Sequence, residues 1–250
     1  MHSSVPLGSN IIRFDSVDST NKSALQAAAD GAPEGAVFLA RSQTKGRGRR
    51  SKKWHSPPGM GLYFSVLLRP MTEVSKANIL VLQSAVAVCI AIEEIAKVPV
   101  GIKWPNDIYL DGKKLGGILL ETVISGGTLQ HAVVGIGINL NQSSEDYPEE
   151  LRDKAISINE VTGLDINSDK LMNRILSLFD DYYSKRVECT INMWENRCIH
   201  SNKIVTLLTN GKALRGFFSD VSADLSFKLR EESGRTHNIQ YGEISLDLEE

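Results

Sequence analysis

The sequence has few cysteines, no signal-peptide pattern and no apolar run long enough to span a bilayer. Its three cysteines are Cys89, Cys189 and Cys198, and they lack CxxC spacing. A disulfide framework and a zinc site are therefore disfavoured, and a reducing compartment is favoured. The most apolar segment, residues 79–92, predicts a buried helix because it is too short to cross a membrane. We therefore expect a cytoplasmic protein without a membrane partner.

The chain also lacks a strong excess of either charge. It has 28 basic and 30 acidic residues, a net charge of −2, so the molecule as a whole is not a polyanion binder. With 42% hydrophobic and 23% charged residues in 250 positions, it has the composition of a globular protein. This length fits one large domain, or a main domain with a small appendage.

Strand-like and helix-like segments alternate as far as His200, and short alternating runs follow. Strands are predicted at residues 11–14, 36–41, 62–69, 102–104, 108–110, 115–123 and 130–140. Helices are predicted at 22–29, capped by Ser19 or Thr20, at 75–97, capped by Ser75, and at 169–187 and 191–198. Runs at 204–208, 214–221, 227–229 and 244–248 predict a small β-barrel. The sequence thus predicts an α/β main domain over 1–200 and a β domain over 201–250.

A basic segment at residues 41–53 holds seven basic residues and no acid. They are Arg41, Lys45, Arg47, Arg49, Arg50, Lys52 and Lys53. Gly46 and Gly48 alternate with the arginines, so we expect left-handed backbone that turns amides inward as an anion-binding nest. Arginine binds phosphate through two donors, which favours a lid over a phosphorylated ligand. A loop for nucleic acid or for solubility is the alternative.

Polar and glycine positions near mid-chain form a second group. Pro105 fixes a turn from which Asn106 and Asp107 project. These two residues could hold a ribose, a metal ion or an amine, and a plain Asx turn is the alternative. The Asp111-Gly112 pair predicts a hairpin, and Lys114 opens its second strand. Glycines inside the two following strands indicate close approach by a ligand or by backbone. These glycines are Gly116, Gly117, Gly135 and Gly137.

Known nucleotide motifs are missing. The sequence contains no P-loop, and residues 135–139 lack the third glycine of a dinucleotide fingerprint. The tetrapeptide ending at Asn21 is either a helix cap or a polar ligand contact at a helix N-terminus.

The order of these segments resembles the biotin protein ligases, over nearly the whole chain. The segments that carry the resemblance are DSTN, SQTKGRGRRSKKW, GMGLYFSVLLRP, KWPNDIYLDGKKLGGILLE, GIGIN and GEISL. The resemblance implies a mixed sheet with packed helices, of the class II synthetase-like biotin/lipoate ligase fold, and a C-terminal SH3-like barrel. It also implies condensation of biotin with ATP to biotinyl-5′-AMP and pyrophosphate, and transfer of biotin to a lysine of a biotin carboxyl carrier protein.

The resemblance implies a role for each matching position. Lys114, Arg49 and Asp107 would be catalytic, with Asp107 orienting the acceptor amine or taking its proton. Arg49, Trp54, Asn106 and Asn139 would bind the nucleotide. The biotin-binding positions would be Ser19, Thr20, Asn21, Gln43, Gly46, Arg47, Gly48, Arg49, Lys114, Gly117, Gly135 and Gly137.

Mg²⁺ is implied with the two substrates, although no metal ligands can be assigned, and a homodimer is compatible with the resemblance. Ser51 and Lys52 stand where the family usually has Gly and Arg, so the end of the loop departs from the pattern. About ten residues precede residue 11, too few for a DNA-binding domain, so we expect no DNA binding and no repressor function. A lipoate or octanoate ligase and a nucleic-acid-binding module are the alternatives.

Overall fold

A seven-stranded mixed sheet forms the centre of the protein, as seen in a computed structural model that describes residues 5–70, 73–184, 187–201, 203–209, 212–222, 226–239 and 245–247. Its strand order is β1-β2-β3-β7-β6-β5-β4, with β1 and β2 parallel and the other pairs antiparallel. The strands are β1 (Asn10–Phe14), β2 (Ala36–Ala40), β3 (Gly61–Leu68), β4 (Gly101–Lys103), β5 (Asp107–Leu110), β6 (Lys113–Ser125) and β7 (Thr128–Asn139). All seven predicted strands are present, with bounds that differ by one or two residues.

The described ranges contain five α-helices, and α2 is the most buried of them. They are α1 (Thr20–Ala29), α2 (Ile79–Ala96), α3 (Ile158–Thr162), α4 (Ser168–Tyr183) and α5 (Val187–Glu195). α2 is apolar on all sides because α4 and α5 cover the faces that the sheet does not. By length and composition alone this 18-residue helix, with a mean hydropathy of 2.0, could cross a membrane. However, 78% of its residues are buried inside the protein.

Three of the four predicted helices, at 75–97, 169–187 and 191–198, each have a boundary that is wrong by four residues, and α3 is not among the predicted helices. Ser75 does not cap α2, because residues 74–76 form a separate 3₁₀ turn and α2 begins at Ile79. The helix predicted at 169–187 ends at Tyr183, and α5 begins at Val187 and ends at Glu195. α5 stops there because Arg197 and Ile199 bond to the backbone of Ile102 on the edge strand β4.

The Asp111-Gly112 turn is confirmed as the link between β5 and β6. Both residues have positive φ, 48° and 73°, which is the backbone of a two-residue turn with the twist that a hairpin needs.

In the described part of the chain after residue 203, five antiparallel strands form a second sheet, in the order β11-β10-β9-β8-β12. Its strands are β8 (Ile204–Thr209), β9 (Lys212–Val221), β10 (Phe227–Arg230), β11 (Thr236–Ile239) and β12 (Ser245–Asp247). This arrangement is consistent with the expected SH3-like domain. The sequence pattern missed β11, in which Ile239 is the one apolar residue, and the predicted run at 244–248 lies outside the described residues except for β12.

An aromatic cluster joins the two sheets. The ring of Trp104, between β4 and β5, lies 5.3 Å from that of Trp194 on α5 and 5.2 Å from that of Phe227 on β10. Phe218 stacks on Phe227 at 4.7 Å and contacts His200, whose pKa is lowered to about 4 by burial. Because one hydrophobic core runs through both sheets, a domain boundary near residue 200 stays a prediction.

We expect Phe218→Ala to lower the free energy of unfolding by about 3–5 kcal/mol, because it removes a fully buried ring from this cluster. Phe217→Ala is the matched control on the same strand. Phe217 is 40% exposed, so its truncation should cost less than about 1 kcal/mol. Urea unfolding of both variants checks this, and equal losses would contradict a core shared between the sheets.

Candidate active site

A cavity of about 540 Å³ opens where the basic segment, the start of α1 and the ends of β4 to β7 meet. Gly46 does not line it, but the other sequence-predicted site residues do. Those residues are Ser19, Thr20, Asn21, Gln43, Arg47, Gly48, Arg49, Trp54, Asn106, Asp107, Lys114, Gly117, Gly135, Gly137 and Asn139. The structure thus brings together side chains that lie up to 120 positions apart in sequence (Ser19 to Asn139).

Hydrogen bonds fix the polar end of the cavity at the start of α1. Ser19 occupies the N-cap position, but its side chain makes no capping hydrogen bond. The Gln43 side chain takes that place, accepting from the Thr20 backbone N–H at 2.9 Å. The Gln43 amide donates to the Ser56 hydroxyl at 3.0 Å, so Gln43 cannot flip without losing both contacts.

The backbone of the basic segment differs from the expectation. Neither Gly46 nor Gly48 has positive φ, whereas Arg50 does, with φ of 52°. Gly46 is required for close approach instead, because a Cβ there would lie 2.5 Å from the Trp54 carbonyl oxygen. The segment closes as a narrow loop, in which the Trp54 N–H donates to the Gly46 carbonyl at 2.9 Å. The glycine-based nest predicted from the sequence is therefore wrong.

Two arginines tie this loop to the body of the protein. Arg49 Nη1 donates to Asn106 Oδ1 at 3.1 Å, while Asn106 Nδ2 donates to the Ile118 carbonyl at 2.6 Å. Arg47 Nη2 lies 2.9 Å from Glu121 Oε2 on β6. Glu121 is a functional candidate that sequence reasoning missed, although it is the last residue of the quoted KWPND segment.

An ion pair stands at the other side of the loop. Lys114 Nζ lies 2.7 Å from Asp107 Oδ1 and 5.5 Å from the centre of the Trp54 ring. The Lys114 side chain is thus held between a carboxylate and an aromatic face.

The glycines of β6 and β7 face protein groups. A Cβ on Gly137 would lie 2.6 Å from Trp54 Nε1, and one on Gly117 would lie 3.5 Å from Trp54 Cζ3. A Cβ on Gly135 would overlap the Asn21 amide. The close approach predicted at these positions is thus made by Trp54 and Asn21, and room for a ligand along the strands stays a prediction.

The segment after β7 supplies residues that no sequence motif indicated. The Lys114 N–H donates to the Lys154 carbonyl at 2.8 Å, which brings residues 151–155 to the cavity. Asn139 holds this segment, since its Nδ2 donates to the Ile156 carbonyl at 3.0 Å. The further lining residues from outside the predicted set include Lys103, Tyr109, Tyr147, Leu151, Lys154 and Ala155.

The lining does not fit a metal held by the protein alone. Asp107 is the one carboxylate among the described lining residues, and Lys114 already pairs with it. Nowhere in the described ranges do three or more His, Cys, Asp or Glu residues cluster as a metal site. A nucleophile activated by a histidine is also not indicated, because the lining histidine, His55, contacts the Asp146 carbonyl through its Nε2.

Comparisons with known proteins agree on one family. The model of the biotin/lipoate A/B protein ligase family matches residues 13–139. The biotin–acetyl-CoA-carboxylase ligase of Paracoccus denitrificans is 31% identical over 229 residues, which cover 87% of this chain and 93% of that protein. A structure of biotin protein ligase from Aquifex aeolicus in complex with biotin and ATP superposes with a TM-score of 0.83 at 32% identity, covering 96% of this chain and 99% of that one.

A longer relative is more similar in sequence. The bifunctional ligase/repressor BirA of Bacillus subtilis (strain 168) is 42% identical over 177 residues, or 71% of this chain. This match spans about half the length of that relative, 54%.

We expect Gly137→Ala to displace the Trp54 indole, because the new methyl group would overlap it. Trp104 and Trp194 are buried, so an increase in acrylamide quenching of tryptophan fluorescence would report Trp54. Gly117→Ala is the matched control on the paired strand, where a Cβ would make ordinary contacts of 3.4–3.5 Å. Identical quenching in both variants would show that Trp54 does not rest on Gly137.

Proposed function

The chain belongs to the biotin/lipoate A/B protein ligase family, and from this membership we propose that it is a biotin protein ligase. It activates biotin with ATP, releases pyrophosphate, and transfers the biotinyl group to a lysine of a biotin carboxyl carrier protein. The observation that carries the proposal is the convergence of Arg47, Arg49 and Lys114 on one cavity. Repulsion between two anionic substrates is the main obstacle to forming an acyl-adenylate, and positioned cations lower it.

The two ends of the cavity suit the two substrates. The end at Thr20, Asn21 and Gln43 is a network of oriented hydrogen-bonding groups, which suits the ureido ring of biotin. The other end, at Asn106 and Lys114, borders Arg49 of the loop, and we assign it to the phosphates. Trp54 lies between these ends, against Gly137 and beneath Lys114.

In the first step a carboxylate oxygen of biotin bonds to the α-phosphorus, and the bond from that phosphorus to pyrophosphate breaks. Lys114 and Arg49 stabilise the charge that gathers on the phosphoryl oxygens. The described lining offers a single carboxylate, so Mg²⁺ would be held by the ATP phosphates rather than by the protein, and would supply charge stabilisation there.

In the second step the neutral amine of the acceptor lysine attacks the biotinyl carbonyl carbon, and AMP leaves. Asp107 is the group that we assign to orient this amine or accept its proton. As the one described carboxylate of the lining, held in place by Lys114, it has the fixed position that this role requires. A homodimer, a cytoplasmic location and the absence of DNA binding stay predictions.

Pyrophosphate release with ATP, Mg²⁺ and either biotin, lipoate or octanoate tests the proposal. We expect release with biotin, a product with the mass of biotinyl-5′-AMP, and biotin transfer to a carrier domain that is lost when its acceptor lysine is replaced by arginine. Release with lipoate or octanoate alone would replace the proposal with the family's other activity. No release with any acid, together with salt-dependent retention on DNA, would favour a nucleic-acid-binding protein.

We expect Lys114→Ala to lower kcat for pyrophosphate release by about 10²–10³-fold, the effect of removing one donor that stabilises transition-state charge. The matched control is Lys113→Ala, which removes the neighbouring lysine. Side chains alternate along β6, so Lys113 points to the other face of the strand. Rapid-quench measurement of both variants checks the role, and near-normal kcat for Lys114→Ala would remove Lys114 from the catalytic residues.

A further inference from the structure

One carboxylate behind the cavity connects the basic loop to the polar end. Glu121 Oε2 accepts from Asn21 Nδ2 at 2.8 Å and from Arg47 Nη2 at 2.9 Å. Glu121 is not among the lining residues, whereas Asn21 and Arg47 both are. Any influence of Glu121 on a ligand must therefore pass through these two neighbours.

Glu121 fixes the orientation of the Asn21 amide. Asn21 is 4% exposed, and its Nδ2 faces two acceptors, Glu121 and the Leu119 carbonyl, while its Oδ1 accepts from the Ser65 hydroxyl at 2.6 Å. A flipped amide would set its oxygen against both acceptors. The missing side chain at Gly135 leaves room for the amide, because a Cβ there would overlap it.

The orientation of this amide determines which hydroxyl group donates and which accepts in the next hydrogen bonds of the chain. The single Ser65 hydrogen is used on Asn21, so Ser65 cannot also donate to Thr20. The Thr20 hydroxyl, whose oxygen lies 2.7 Å from Ser65 Oγ and 3.3 Å from Gln43 Oε1, must therefore donate to one of these two oxygens. The hydrogen of Thr20 is then used as well, and its oxygen can only accept from a ligand. The Gln43 oxygen beside it is likewise an acceptor.

This end of the cavity therefore presents lone pairs and matches a ligand that carries N–H donors. The ureido ring of biotin has two N–H groups, whereas the dithiolane ring of lipoate and the tail of octanoate have none. An acid without N–H groups leaves buried acceptors unpaired, which is a strong basis for discrimination.

Stability alone does not account for the Glu121 contacts. The side chains of Arg47 and Glu121 are 42% and 25% exposed, and ion pairs with this exposure contribute little to folding. The consequence of the pair is positional, because it ties Arg47 of the loop to the same carboxylate oxygen that orients Asn21.

We propose that Glu121 is a positioning residue for ligand selection, which sets the hydrogen-bond direction from Asn21 through Ser65 to Thr20 and holds Arg47 over the resulting acceptors. The proposal rests on the proposed function for the identity of the ligand, biotin.

Steady-state pyrophosphate release by Glu121→Leu and Glu121→Gln tests it, with biotin and with a biotin methylated on a ureido nitrogen. We expect Glu121→Leu to raise KM for biotin at least about tenfold, the scale of one mispaired polar group in a pocket, with kcat and KM for ATP within about threefold. Methylation should weaken activity less in this variant than in the wild type. Glu121→Gln keeps an acceptor for Asn21, so its KM for biotin should be closer to the wild-type value than that of Glu121→Leu.

Glu94→Leu is the control, since it breaks a surface ion pair with Arg174 outside the cavity and should leave every constant unchanged. If Glu121→Leu does not fold, Glu121→Asp, which keeps the charge but withdraws the oxygens, should move the biotin KM in the same direction. Wild-type KM in the folded variants, an equal rise in the KM of both substrates, or an unchanged methylation penalty would overturn the role of Glu121. A wild-type protein that releases no pyrophosphate with biotin would instead overturn the proposed function.

Discussion

The candidate site depends on the absence of side chains at the centre of β6 and β7. The Asn21 amide packs against Gly135, and the Trp54 indole packs against Gly137. A Cβ at either glycine would overlap the group that packs there. The start of α1 and the end of the basic loop can therefore both approach the sheet surface directly. A third close approach, of Gly46 to the Trp54 carbonyl, narrows the loop so that its arginines return toward the sheet.

Polar partners bind each of the cations that this closure brings together. Arg47 pairs with Glu121, Arg49 with Asn106 and Lys114 with Asp107. Glu121 lies on β6, Asp107 on β5 and Asn106 directly before β5, so the three partners come from two neighbouring strands. In this arrangement a carboxylate and a phosphate can be held side by side, as the formation of an acyl-adenylate requires.

Much of this could be predicted from the sequence, because the signals were local. Apolar runs between glycines and prolines predicted the strands, and Asp111-Gly112 predicted its hairpin. The contacts of Glu121 and the approach of residues 151–155 to Lys114 could not be predicted, since they depend on pairings between distant segments. The prediction for the backbone of Gly46 is wrong because a glycine gives the same sequence signal for positive φ as for close contact.

The position of Trp104 has a consequence for dissecting the molecule. It directly precedes Pro105 and Asn106 in the chain, yet its ring is packed among Trp194, Phe218 and Phe227. The small sheet therefore packs against the residue that precedes the turn carrying Asn106 and Asp107, and supports that turn. A fragment cut near residue 200 would lose part of the wall behind its own reaction centre, and a chimera that exchanges the small sheet must bring matching aromatic rings with it.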